Sequence, residues 1–114
     1  MNELIFIDGN GNKYIIRNRN DITIEYIPIE SKLSSSGVYD GGVYKKAQIS
    51  SSEFQKVRDL LIDALNNEQA HIQNRIKLSG IVILKSSDSI SKCILSPQAE
   101  ILKLIEQTFQ NLFC

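Results

Sequence analysis

"LIFIDGNGNKYII", residues 4–16, decides what kind of sheet opens the chain. Residues 4–7 and 14–17 are rich in β-branched and aromatic side chains, and between them stand Asp8-Gly9 and Asn10-Gly11. A type I′ turn needs positive φ at both central residues, which Asn-Gly and Asp-Gly tolerate, so the stretch predicts a two-stranded hairpin. With Asn10 and Gly11 at the tip, Ile7 is expected opposite Tyr14 and Ile5 opposite Ile16, with all four on one apolar face. A calcium loop is the competing reading, because Asp8, Asn10 and Asn12 occupy positions one, three and five of an EF-hand-like pattern. It fails where glycine and a bidentate glutamate belong, since Lys13 and Arg19 stand there.

Working outward, "ITIEYIPI" alternates Ile22, Ile24 and Tyr26 with Thr23 and Glu25, which predicts a third strand ending or reaching a sheet edge at Pro28. Residues 43–49 are expected to add a short fourth strand. Ser50 and Glu53 form the capping pattern S-x-x-E, and Phe54, Val57, Leu60, Leu61, Ala64 and Leu65 then share one helical face. Asn66 and Asn67 are expected to end that helix with a left-handed cap. "GIVILK" and "ISKCIL" predict a second hairpin turning near Ser87 and Asp88, with Gly80 marking a bulge or a close backbone approach. Ser96-Pro97 reads as the cap and first position of a last helix, whose Ile101, Leu102, Ile105, Phe109, Leu112 and Phe113 fill one arc that Leu104 widens.

The predicted order is β-β-β-(β)-α-β-β-α. That order defines a two-layer α+β fold, an antiparallel sheet of about five to six strands with two helices on one face. Type III secretion chaperones use a similar order after an extra N-terminal helix, which this chain does not show. The likeness, which also lacks the acidity of that group, is therefore one of element order. With 114 residues, the whole chain is expected to be one domain, and 42% hydrophobic residues are enough for a packed core.

Thirteen basic side chains balance thirteen acidic ones, giving zero formal charge and a pI near 6.6. Such a total does not suit a nucleic-acid binder or a protein held at an anionic membrane, so neither partner is expected. No secretory leader pattern opens the chain, and two cysteines make no disulfide framework, so a cytoplasmic location is expected. The isoleucine- and asparagine-rich composition suggests an AT-rich, bacterial genome.

Few residues have the spacing that chemistry needs. His71 is the only histidine and no C-x-x-C occurs, so no metal or other cofactor is expected. Cys93 and His71 match no local signature of cysteine catalysis, and Asp59 and Asp63, one helical turn apart, read as a solvated helix face. "SSSGVYDGGVYKK", residues 34–46, has the glycine spacing of a Walker A loop at Gly37 and Gly42, but Val43 stands where its lysine belongs. Its tyrosine, serine and glycine instead resemble the composition of protein-binding loops. Val38, Tyr39, Asp40, Tyr44 and Lys45 are accordingly the candidate partner-binding residues, with a plain hairpin turning at Asp40-Gly41 as the alternative.

The expected function is a non-enzymatic protein-binding or regulatory module: an adaptor, inhibitor or immunity-type protein acting on another protein. A second reading is a small enzyme or ligand-binding domain with a closed apolar pocket between sheet and helices, using Tyr26, Tyr39, Tyr44 or His71. A third is a secretion-chaperone-like homodimer formed through an edge strand or Leu104.

Overall fold

The computed structural model describes residues 2–29 and 42–113. In chain order the elements are β1 (Asn2–Ile7), β2 (Lys13–Asn18), β3 (Ile22–Ile27), β4 (Lys45–Gln48), α1 (Ser51–Asn66), β5 (His71–Ile72), β6 (Gly80–Lys85), β7 (Ile90–Leu95) and α2 (Glu100–Asn111). The strands form one antiparallel sheet in the order β4-β3-β2-β1-β6-β7-β5. Both helices contribute to a single core against one face of that sheet, which is the two-layer α+β fold the sequence predicts. The sheet has seven strands instead of five or six, because His71–Ile72 adds a two-residue strand beside β7. The expected turn at Asp40-Gly41 lies outside the described residues.

The first hairpin forms, but in a different register from the expected one. Phe6 stands opposite Tyr14, Leu4 opposite Ile16 and Ile5 opposite Ile15. The reason is the Asp8 carboxylate. Its Oδ1 accepts the backbone N–H groups of Asn10 and Asn12, both at 2.9 Å, and its Oδ2 accepts from Asn12 Nδ2 at 3.1 Å. The Gly11 N–H donates to the Asp8 carbonyl at 3.0 Å with Gly11 at φ +93°, and the Asp8 N–H donates to the Asn12 carbonyl. The tip is thus a three-residue loop whose last residue is left-handed, in place of a two-residue type I′ turn. Side chains alternate along a strand, so this change turns β1 over relative to β2. Leu4 and Phe6 face the helices with Tyr14 and Ile16, and Ile5 and Ile7 face away.

On the helix side, Phe6, Ile16, Ile24, Val82 and Leu95 meet Val57, Leu61, Ile105 and Phe109, all fully buried. Phe6 and Phe109 stack with centroids 5.3 Å apart, and Tyr14 lies 5.0 Å from Phe109 and 4.9 Å from Tyr26. Aromatic contacts of this kind contribute about 0.5–1.5 kcal/mol each beyond the area they bury. They fasten the C-terminal end of α2 to the first hairpin.

The capping box of α1 is present in full: Ser50 Oγ accepts from the Glu53 N–H at 3.1 Å, and Glu53 Oε1 accepts from the Ser50 N–H at 2.9 Å. Its C-terminus departs from expectation. Asn67 has φ −92°, not a left-handed value, and the helix runs into a 3₁₀ turn at Glu68–Ala70. The free carbonyl of Ala64 takes the Asn67 N–H and a hydrogen bond from His71 Nε2 at 2.7 Å, so a left-handed residue is not required there.

Ser96 does not cap α2. Its N–H donates to the Ala70 carbonyl at 2.8 Å and its own carbonyl accepts from the Ala99 N–H, so Ser96-Pro97 forms a turn and the helix starts at Glu100. Along α2, Leu102, Ile105 and Phe109 are buried and Leu104 is half exposed. The second hairpin turns at Ser87-Asp88 as predicted, with Lys85 opposite Ile90 and the Ser86 N–H donating to the Ser89 carbonyl. Gly80 marks a close approach: a Cβ there would sit 2.3 Å from Leu102 Cδ1.

Two substitutions test this account in urea denaturation. Asp8→Ala leaves the Asn10 and Asn12 N–H groups without their acceptor and is expected to cost about 1–3 kcal/mol. Gly80→Ala is expected to cost a similar amount, about 1–3 kcal/mol, by pushing α2 from the sheet. A midpoint unchanged in either variant contradicts the role given to that residue.

Candidate functional site

The turned-over register gives the sheet a second apolar face. Residues opposite one another in an antiparallel pair share a face, so Ile15, Ile5 and Ile83 lie side by side across β2, β1 and β6. Next to them run Ile7, Ile81, Ile94 and Ile72 across β1, β6, β7 and β5. Ile27 on β3 and Ile90 on β7 complete a set of nine isoleucines directed away from the helices. Ile5, Ile15 and Ile81 are only 7–8% exposed, Ile7, Ile83 and Ile94 are partly exposed, and Ile90 is 68% exposed.

A polar ladder crosses the same face. Lys85 Nζ lies 3.7 Å from Glu3, Arg17 Nε lies 3.2 Å from Glu3, Arg17 also binds Glu25, and the Tyr44 hydroxyl donates to Glu25 at 2.6 Å. The ladder therefore runs from β6 through β1, β2 and β3 to the residue preceding β4. The stems of such long side chains lie along apolar neighbours while their charged ends meet water.

The ladder shifts the ionisation of Glu25, Tyr44 and Arg17. The Tyr44 hydroxyl is the largest influence holding the Glu25 carboxyl below its ordinary pKa; burial opposes it, and Arg17 and Lys46 add to it. The same hydrogen bond raises the pKa of Tyr44. Burial works against the Arg17 guanidinium, yet the hydrogen bonds and charges of Glu25 and Glu3 outweigh it and raise its pKa.

Of the residues singled out in the sequence, Val38, Tyr39 and Asp40 lie outside the described residues. Tyr44 and Lys45 are exposed but do not share a surface. Tyr44 joins the ladder on the isoleucine face, whereas Lys45 pairs with Tyr26 on the helix side, its Nζ 5.9 Å from the Tyr26 ring and 6.0 Å from that of Phe113. The sequence does not mark Glu3, Arg17, Glu25 or the isoleucines of this face as site residues. Their one signal is that "LIFI" and "GIVIL" are continuously apolar, the mark of strands with both faces covered.

Among the described residues, His71, Cys93, Asp59 and Asp63 are not brought together. His71 Nε2 is engaged by the Ala64 carbonyl, and Cys93 lies in the core, where burial pushes its pKa up to about 11, away from a reactive thiolate. Asp59 is exposed and accepts from Gln55 Nε2 at 2.8 Å, and Asp63 is exposed. Among the described residues no group of three His, Cys, Asp or Glu side chains is placed to hold a metal, and no helix is long and apolar enough to cross a membrane. The depression holding Tyr26 and Lys45, about 230 Å³, opens to solvent beside Asp8, Asn12 and Phe113 and is not a closed apolar pocket. Compared with family models, curated proteins and solved structures, the chain matches none.

Tyr44→Phe removes the hydroxyl that holds the Glu25 carboxyl ionised, so the pKa of Glu25 is expected to rise toward its ordinary value. A carboxyl whose folded pKa is depressed adds stability above its unfolded pKa, and that stability is lost as pH falls through the folded pKa. In the variant this loss begins at a higher pH within the acid range. Carboxyl-detected NMR titration of the two proteins checks it, and superimposable Glu25 curves contradict the assigned bond.

Proposed function

We propose that this chain is a non-enzymatic protein-binding domain that docks a partner on the sheet face turned away from its helices. The carrying observation is that isoleucine face, framed by an ordered polar ladder with Tyr44 at one end. Apolar surface open to solvent marks sites of interaction, and on this face Ile90 is largely exposed and Ile7, Ile27, Ile83 and Ile94 are partly so. An adaptor, inhibitor or immunity-type role would use such a face without chemistry of its own. A free, buried Cys93 fits a reducing compartment, and a cytoplasmic location is proposed with it.

The enzyme reading has less support. It calls for a closed apolar pocket between sheet and helices, a space filled here by fully buried Phe6, Val57, Leu61, Ile105 and Phe109. Edge-strand dimerisation is also disfavoured, because β4 has four residues and carries Lys45 and Lys46, and β5 has two residues.

The test is affinity capture from source cells with four baits: wild type, Ile83→Lys, Ile94→Lys, and Asp59→Lys on the exposed side of α1, with folding checked by circular dichroism. A protein retained by wild type and Asp59→Lys and lost with both isoleucine variants supports docking on this face. Equal retention by all four baits contradicts it.

A further inference from the structure

We propose that the cleft between α1 and the tip of the β6–β7 hairpin binds a small phosphate monoester, with its phosphate held by Arg58 and Ser91 and its short apolar group laid on Leu4 and Leu84. The cleft lies on the helix side of the sheet, so it stands or falls independently of docking on the isoleucine face.

Strand register places the lining residues. Leu4, Leu84 and Ser91 stand side by side across β1, β6 and β7. Leu4 belongs to the core and Leu84 packs against it, so this row faces the helices. Ser86 lies two residues beyond Leu84 and Ser89 two before Ser91, and the Ser86 N–H donates to the Ser89 carbonyl, so both serines continue the same face. The middle of the sheet sends Phe6, Ile16, Ile24 and Val82 to this side, whereas the corner formed by "SSDSIS", residues 86–91, sends three hydroxyls. Arg58 comes to that corner from α1, between buried Phe54 and Leu61. Together these side chains line a cleft of about 180 Å³ that opens to solvent.

Arg58 identifies the charge of the ligand. It is half-buried, and among the described residues neither its guanidinium nor the Ser91 hydroxyl has a hydrogen-bond or ion-pair partner. The neighbouring carboxylates are engaged elsewhere: Asp59 accepts from Gln55 Nε2 at 2.8 Å, and Asp88 accepts from the Ser86 hydroxyl at 3.3 Å. Lys85 borders the cleft as well, with its ammonium 3.7 Å from Glu3. A guanidinium is a rigid fork of donors that matches two oxygens of a carboxylate or a phosphate.

The hydroxyl and the leucines narrow the choice. A carboxylate has only the two oxygens that the fork occupies, whereas a tetrahedral phosphate has a third to accept from Ser91. Leu4 and Leu84 supply an apolar wall that bare phosphate would leave unused. The cleft is smaller than the roughly 300–1,000 Å³ of pockets for drug-sized ligands, which excludes a nucleotide and suits a phosphate on a short carbon chain. A metal cation is repelled by Arg58.

The experiment titrates labelled protein with n-butyl phosphate, inorganic phosphate, butyrate and a phosphoserine tripeptide at constant ionic strength, followed by NMR of backbone amides and arginine Nε–H groups. Butyl phosphate is expected to shift Arg58 Nε–H and the amides of Leu84 and Ser91, and to bind more weakly as salt is added. Arg58→Gln is expected to lose about tenfold in affinity or more, and Arg58→Lys less, because a point charge remains without the fork. Ser91→Ala is expected to lose about threefold, and it carries the test if circular dichroism shows that Arg58→Gln does not fold. Equal affinity of wild type, Arg58→Gln and Ser91→Ala overturns the site, as does the absence of any shift at tens of millimolar ligand. Butyrate binding as tightly as butyl phosphate overturns the phosphate, and inorganic phosphate binding as tightly overturns the leucine wall. Tighter binding of the tripeptide overturns the small-molecule ligand and assigns the cleft to a phosphorylated protein.

Discussion

The fold depends on one carboxylate accepting backbone hydrogen bonds. Asp8, itself buried, takes two N–H groups of the loop that follows and the side-chain amide of Asn12, whose own Oδ1 accepts from the Ile29 N–H at 3.0 Å. The loop is therefore held to the strand before it and to the end of β3. Its length fixes the pairing of β1 with β2, and β1 is the central strand of seven. Had the tip closed on two residues, Ile5 and Ile7 would face the helices, and the stacking of Phe6 on Phe109 and Tyr14 would be lost.

A consequence of that register is a central sheet apolar on both sides, with the described helices packed on one of them. On the other side runs the ladder Lys85-Glu3-Arg17-Glu25-Tyr44. Single surface ion pairs contribute little, about 0–1 kcal/mol. This ladder matters for where it places side chains more than for its energy. Its charged members alternate with the isoleucines along the same strands, Glu3 with Ile5, Arg17 with Ile15 and Lys85 with Ile83, and the sheet edges are short, with lysines on β4.

How much of this can be read from the sequence follows from how local each determinant is. The capping box of α1, the Ser87-Asp88 hairpin and the close approach at Gly80 are decided by residues a few positions apart, and they are legible. The cap of α2 is not, because Ser96 bonds to Ala70, twenty-six positions away in sequence, and that contact exists only after β5 has joined β7. The first hairpin is the instructive case. Its existence is written in Asp-Gly and Asn-Gly, but its register rests on a competition between two turns, won by the side chain of Asp8. The candidate site inherits this difficulty. Tyr44 stands out by its company of glycine and tyrosine, while Glu3, Arg17 and Glu25 become neighbours only once the register is known.

Net charge illustrates the same point from another side. A total of zero argues against polyanionic partners when charges are evenly spread, and here they are not. Alternation along β2 places Lys13, Ile15 and Arg17 on the isoleucine face, and Tyr14 and Ile16 in the core; the same alternation sends Lys92 outward beside buried Cys93. Lys13 and Lys92 are thus sent to that face by the periodicity that sorts the core, whereas Lys45 lies on the helix side. Glu3 and Glu25 are tied to Arg17, while among the described residues Lys13, Lys46 and Lys92 have no ion-pair partner; Lys13 stands between Ile7 and Ile27, and Lys92 opposite Ile83. Charges at a margin steer and select, while the floor supplies the contact area. This arrangement arises from strand register, with no motif a few residues long to announce it.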